Sequence, residues 1–209
     1  MNKTANKIGW KKLPEDVRLA SILEAAACCF MKNGYHSASM QDVADAAGLT
    51  KGGLYHHFPS KEAIRDKLIE QFLNFDRLGL AAVLDWDKSP DQKLIGAGLM
   101  LLEKLATKQG SAPRFIAEAI ACSAQVDTVK DFYQKAENLF ASLFKAGQQV
   151  GAFKPEADPE TLASLYMAVL DGLQIRQDMK VSMEGGEGDY SLAEHCTKEV
   201  EAFVASFKA

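Results

Sequence analysis

Apolar residues recur at three- and four-residue steps along almost the whole chain, and no stretch alternates with the two-residue period of a half-buried strand. The fold class this predicts is all-α, with about nine helices and no internal repeat. Pro14, followed by Glu15 and Asp16, opens a first helix, because proline suits the first turn and carboxylates suit the positive helix end. Val17, Ile22, Ala25, Ala26, Cys29 and Phe30 mark its buried side, and Gly34 stops it. A fourth helix starts at Lys61, and its pattern of Ile64, Leu68, Ile69, Phe72 and Phe75 continues to near Trp86. A helix of that length is a good lever, since it transmits displacement with little bending.

Between these lies the segment Ser39 to Lys61, SMQDVADAAGLTKGGLYHHFPSK. Ser39 is a preferred N-cap and Asp42 stands where a capping box needs an acceptor. Met40, Val43, Ala44 and Ala47 share one face. Gly48 accepts the left-handed conformation of a helix stop. Leu49 plugs the turn. Thr50 caps a second short helix in which Leu54 and Phe58, four apart, point inward. Pro59 ends it and Ser60 caps the next. Two short helices, a tight turn and an anchoring third helix are the layout of a helix-turn-helix, which places one helix in the DNA major groove. The second helix tolerates adjacent glycines, Gly52 and Gly53, that cost roughly 1 kcal/mol each in a helix interior. Missing side chains there let the backbone approach a phosphate or a base edge. An apolar helix pair with an ordinary glycine turn fits the same residues.

The second half divides into five further helices. Ser89-Pro90-Asp91-Gln92 opens one that runs to about Lys108. Gly110-Ser111 breaks it. Pro113 to Gln125 forms the next, and Asp127 caps another running to about Val150. Asp158-Pro159-Glu160 opens a long apolar helix, Thr161 to about Met179. A loop with Gly185, Gly186 and Gly188 leads to Ser191, which caps the last. On the Asp158 helix, Leu162, Leu165, Tyr166, Met167, Val169, Leu170, Leu173 and Ile175 cover most of the circumference, with Ala168 and Gly172 permitting close approach. On the last helix, Val200, Phe203, Val204 and Phe207 form a stripe. A helix that is apolar on two faces is buried on two faces. One face can meet its own domain and the other an identical partner; a fully internal helix in a monomer is the alternative.

Charge sharpens this division. The chain of 209 residues carries a formal net charge of −4. Residues 1–70 hold ten Lys and Arg against eight Asp and Glu, leaving +2, and the remainder holds −6. Lys3, Lys7, Lys11 and Lys12 make the start a basic arm that can touch phosphates; a solvated tail reads equally well. No apolar run is long enough for a bilayer and the start MNKTANK is not a signal peptide, so a cytoplasmic location and no membrane contact are expected. The four cysteines lack metal or disulfide-framework spacing. Cys28 and Cys29 read as small core residues, and Cys122 as a redox sensor or an inert buried thiol. No phosphate loop follows a strand, and there is no nucleophile elbow or metal-ligand spacing. No enzyme activity, cofactor or metal is expected.

From Arg18 to Leu68 the chain closely resembles the N-terminal domain of TetR-family transcriptional regulators. The resemblance rests on Arg18, Ile22-Leu23, Ala25-Ala26, Phe30, Gly34-Tyr35, Ser39-Met40, Val43-Ala44, Ala47-Gly48-Leu49-Thr50, Lys51-Gly52, Leu54-Tyr55, His57-Phe58 and Ser60-Lys61-Glu62. Gly53 departs from the Thr or Ser often found there. The rest of the chain fits only by length and helical character. The resemblance implies a three-helix DNA-binding domain over 14–76 behind the arm 1–13, and a larger helical effector and dimerisation domain over 77–209. It places Ser39, Gln41, Thr50, Lys51, Gly52, Tyr55, His56, His57 and Lys61 at the surface of a double-stranded operator. Tyr55 and Lys61 suit phosphates, Gln41 and Lys51 base edges.

The resemblance also implies a repressor, a homodimer joined by the Asp158 helix and the last helix as a four-helix bundle, and release from a palindromic operator by a small effector, with the fourth helix as the moving part. An apolar pocket is expected among Met100, Phe115, Cys122, Phe132, Tyr133, Tyr166, Met167 and Gln174, which could equally fill a core. No cationic cluster stands among them, so the effector expected is neutral and lipophilic. The reading of a different class is a helical ligand-binding or scaffolding protein without DNA binding. The outward set Lys51, Gly52, Tyr55, His57 and Lys61 argues against it.

Overall fold

A computed structural model of the chain describes residues 14–107, 110–121, 125–184 and 192–209. Ten α-helices occur among them, with a 3-10 helix at Leu80–Asp85 and one two-residue antiparallel ladder. The helices are α1 (Glu15–Asn33), α2 (Met40–Ala46), α3 (Lys51–His57), α4 (Lys61–Phe72), α5 (Phe75–Leu78), α6 (Pro90–Leu105), α7 (Ala112–Ile120), α8 (Val126–Gln149), α9 (Pro159–Glu184) and α10 (Leu192–Ala205). The basic arm, Cys122, the glycine loop and the Ser191 cap lie outside the described residues.

The chain forms two compact units. The first takes residues up to Gln71 together with Arg114–Gln125, and the second takes Phe72–Pro113 and Val126–Ala209. The first unit is therefore built from two separate pieces of chain, where the sequence reading ran it without interruption to residue 76. Its core holds Ile22, Ala26, Phe30, Val43, Ala44, Leu54, Ile64, Leu68 and Ile69, all buried. Val17, expected inside, is exposed. From α7, Phe115 stacks on Phe30 with centroids 5.9 Å apart and meets Tyr35 edge-on at 6.3 Å. The Glu118 carboxylate accepts the Tyr35 backbone N–H at 3.0 Å.

The fourth helix does not reach Trp86. It ends at Phe72, and Asn74 starts a new turn by accepting the Arg77 N–H at 2.9 Å. Gly79, at φ 69°, closes that turn in the left-handed conformation, and a 3-10 segment follows. The apolar rhythm runs through the break because Phe75, Leu78, Leu80 and Val83 still pack inward by turns. Helix continuity needs the backbone ladder, and side-chain periodicity alone does not supply it. The single long lever expected from the sequence is absent.

In the second unit α6, α8, α9 and α10 pack around an aromatic core. Tyr166 meets Phe140 edge-on at 4.9 Å and stacks on Phe203 at 5.5 Å; Phe144 lies 5.4 Å from Phe153 and 6.1 Å from Phe207. Such pairs add about 0.5–1.5 kcal/mol each beyond the area they bury. Two glycines make room: a Cβ at Gly98 would overlap the Tyr166 hydroxyl, and one at Gly147 the Phe153 ring. α6 stops at Leu105, and Ala106–Thr107 pairs antiparallel with Gly110–Ser111, so the expected break at Gly110 falls in a two-residue ladder. Asp158 caps α9 by accepting the Thr161 N–H at 2.9 Å and its hydroxyl at 2.6 Å.

Candidate nucleic-acid interface

Local chemistry builds the α2–turn–α3 element. The Ser39 hydroxyl accepts the Asp42 N–H at 3.2 Å, and Asp42 Oδ2 accepts the Ser39 N–H at 2.8 Å and its hydroxyl at 2.7 Å. These bonds hold the Asp42 carboxyl below its usual pKa. Gly48 turns the chain at φ 68°. Thr50 Oγ1 accepts the Gly53 N–H at 3.1 Å. A Cβ on Gly53 would stand 3.2 Å from that oxygen, so glycine spares the cap a tight contact. Leu54 and Phe58 are buried, which turns the opposite face of α3 to solvent.

That face presents Thr50, Lys51, Gly52, Tyr55 and His56, all exposed, with open space around Gly52. Ser39 and Gln41 at the start of α2 are also exposed, and Gln41 Nε2 donates to Asp45 Oδ1 at 3.0 Å. His57 is half-buried, its ring 5.5 Å from that of His56. Burial pushes the His57 pKa down, His56 and Arg18 push it further, and Glu15 opposes them.

Lys61 is placed differently from the rest. Its ammonium donates to the carbonyls of Tyr35, His36 and Ala38 at 2.9, 3.2 and 2.9 Å, and lies 4.6 Å from the centre of the Tyr35 ring. Three protons meet three carbonyls, so a phosphate could take one only by displacing a carbonyl. Lys61 ties the loop ahead of α2 to the start of α4. Arg65, one turn on, is buried, donates to the Tyr35 hydroxyl at 3.4 Å and pairs with Asp66 at 2.8 Å. The sequence reading missed it because a charged residue on an amphipathic helix reads as solvated.

The expected ligand residues do not all converge. Phe115 belongs to the first unit, packed on Phe30 and Tyr35. Met100 is half-buried on α6. Phe132, Tyr166, Met167 and Gln174 are buried within the second unit. The Tyr166 hydroxyl donates to the Leu94 carbonyl at 2.9 Å, and that of Tyr133 to Asp171 Oδ2 at 2.7 Å. Burial raises the Tyr133 pKa far above its ordinary value and raises that of Asp171 as well, although the Tyr133 hydrogen bond pulls Asp171 back. Asp171 was not singled out from the sequence, although a lone carboxylate inside the apolar run of α9 was the signal for it.

The long helix α9 also carries an outward stripe. Leu165, Ile175, Met179 and Met183 are 49, 40, 60 and 84 % exposed, and Ala168 and Gly172 complete a three-four spacing along one edge. A Cβ at Gly172 would meet nothing. On α10, Val200 and Val204 are buried in the second unit and Phe203 stacks on Tyr166, so this stripe is the face that meets its own core. Among the described residues no His, Cys, Asp and Glu are grouped to hold a metal ion, and no helix is long and apolar enough to cross a membrane.

Residues 22–68 match the family described as bacterial regulatory proteins, tetR family. The transcriptional repressor KstR2 of Mycobacterium tuberculosis is 27% identical over 143 residues, spanning 68% of this chain and 72% of that protein. The transcriptional activator FasR of Mycolicibacterium smegmatis is 48% identical over 50 residues, 24% of this chain and 23% of its own length. The structure of the M. tuberculosis ketosteroid regulator KstR2 superposes with a TM-score of 0.71 at 21% identity, covering 92% of this chain and 95% of that one. The exposed face of α3, the caps that shape it and these likenesses agree: residues 22–68 are a DNA-binding domain of the tetR family of bacterial regulatory proteins, and the chain around them is similar to transcriptional repressors that carry such a domain.

Proposed function

We propose that the protein is a repressor that binds a two-fold operator as a homodimer and leaves it when a neutral, mainly apolar molecule enters the second unit. The observation that carries the DNA reading is the exposed edge of α3, Lys51, Gly52, Tyr55 and His56, opposite buried Leu54 and Phe58. Lys51 and Gln41 read base edges; Thr50, Tyr55 and the two histidines donate to phosphates. Gln41 gives up its bond to Asp45 to do so. Lys61 acts mainly by holding the loop ahead of α2 in place.

The α9 stripe supports the dimer. Four exposed apolar side chains in one row, with Ala168 and Gly172 between them, form a surface that water solvates poorly and a second copy would cover. Two reading helices related by that axis would enter successive major grooves about 34–36 Å apart. Relatives that match two thirds of the chain or more include the repressors KstR2 and DhaR, whereas the activator matches 24% of it. One relative is a ketosteroid regulator, and ketosteroids are apolar molecules with few polar groups. The test is fluorescence anisotropy with fragments of the source genome. Lys51→Ala should weaken the selected fragment by about 1–3 kcal/mol and relax one base position. Equal binding of all fragments by the unmodified protein would overturn the operator reading.

A further inference from the structure

The second unit buries more polar chemistry along α9 than its packing needs. Asp171, Gln174 and Gln177 follow one another at three-residue steps and so form a ridge along the helix. Gln177 is buried. Gln174 is 1 % exposed; its Nε2 donates to the Leu102 carbonyl on α6 at 3.3 Å, and its Oε1 has no partner among the described residues. Asp171 reaches the other way, to the Tyr133 hydroxyl on α8. The ridge thus stands where α6, α8 and α9 meet. One turn toward the start of α9, Tyr166 and Leu170 close against Gly98 and leave no space.

A buried amide oxygen without a donor is destabilising, and folded proteins keep few such atoms. The Gln174 side chain is not needed to satisfy Leu102, whose carbonyl already accepts the Ala106 N–H. The amide therefore pays no structural debt that would explain its orphaned oxygen. Beside it, the half-buried Asp171 carboxyl disfavours a second negative group, since two carboxylates a turn apart repel each other.

We propose that Gln174 Oε1 is the polar anchor of the effector site, so that the effector is a neutral apolar molecule carrying a hydrogen-bond donor, an alcohol rather than a ketone or a carboxylate. This rests on the reading that the second unit binds an effector, and it narrows the chemistry. The ligand hydroxyl donates to Gln174 Oε1, the apolar body lies along the apolar side chains where α6, α8 and α9 meet, and the Asp171 carboxyl beside it disfavours acids.

The probes are matched sets: 1-dodecanol, 2-dodecanone and dodecanoic acid, and a 3-hydroxysteroid with its 3-keto counterpart. Each is titrated against the full chain by thermal shift and by release of labelled operator. The alcohols should bind about tenfold or more tightly than their ketones, and the acid should not bind. Gln174→Leu, close in shape, should bring alcohol and ketone to within about twofold while melting no lower than the unmodified protein when free of ligand. A marked loss of stability in that variant would show that the oxygen has a partner, and would overturn the inference. So would an alcohol preference that survives the substitution. Compounds that release the operator regardless of a donor would overturn the inference and leave the effector reading standing. A panel in which nothing binds or releases DNA would overturn both.

Discussion

Lys61 at the start of α4 donates to the carbonyl of Ala38, the residue before the α2 cap, at 2.9 Å. The same ammonium holds Tyr35 and His36. The loop between α1 and α2 has no secondary structure to fix it, and these bonds set where α2 begins and hence how α3 is aimed. Lys61→Ala should therefore destabilise the protein by about 2 kcal/mol, the scale of hydrogen bonds to a charged group. Differential scanning calorimetry should show a melting point roughly 4–8 °C lower. Operator titrations at several salt concentrations add a second reading. A purely positioning Lys61 leaves the salt slope unchanged, and one that also grips a phosphate flattens it by about one.

The two apolar stripes of the second unit call for opposite outcomes. Gly172 faces open space on the α9 edge, so Gly172→Leu should fold normally, even gain helix propensity, and sediment as a monomer. Phe203 stacks on Tyr166, so Phe203→Asp should cost about 3–5 kcal/mol and lower the melting point before it alters assembly. Analytical ultracentrifugation with thermal melts separates the two. A dimeric Gly172→Leu protein would remove the α9 edge from the interface.

The pH response of the reading helix follows from His57. Its pKa in the free protein is depressed, chiefly by burial, so the fold favours the neutral ring. The associated stability is present above the unfolded value near 6.5 and is lost as pH falls through the folded value. DNA acts in the other direction, because phosphates favour the imidazolium. Operator affinity measured from pH 8 down to 6 should rise several-fold while the free protein loses stability. His57→Gln should flatten both curves.

Asp171 gives the opposite sign. Burial raises its carboxyl pKa, so its protonated form suits the fold, and the advantage is complete below the unfolded value near 3.9 and lost as pH rises through the folded one. Asp171→Asn keeps an acceptor for Tyr133 and removes the buried charge. It should raise the melting temperature at pH 7 by roughly 2–4 °C, with the gain vanishing toward pH 4.

The reading unit was legible where its chemistry is local. Ser39, Gly48, Thr50 and Pro59 each act within a few residues, and the structure has them acting as caps or stops where the sequence placed them. The break after Phe72 was hidden because Asn74 and Gly79 interrupt a backbone ladder without interrupting the apolar rhythm. The stripe on α10 was visible, but a pattern of apolar positions says that a face is covered and not by what. Phe115 and Glu118 pack on residues some eighty positions earlier, and nothing in their own neighbourhood announces that. Lys61 and Gln174 were singled out from the sequence; their hydrogen bonds depend on carbonyls that only the folded chain brings near.

The discontinuous first unit has a consequence for synthesis. A nascent chain that has emerged through Phe72 carries α1 to α4, yet Phe30 still lacks the Phe115 ring and the Tyr35 N–H still lacks the Glu118 carboxylate. Those partners follow only after α5, the 3-10 turn and α6 have left the ribosome. The part that recognises DNA therefore matures late, after a portion of its controlling half already exists, and during that interval its open apolar face is exposed to other chains. A fragment ending near residue 76 would stay in that unfinished condition permanently. The order of translation thus makes it hard for the cell to release a working reader without the segment that continues into its regulator.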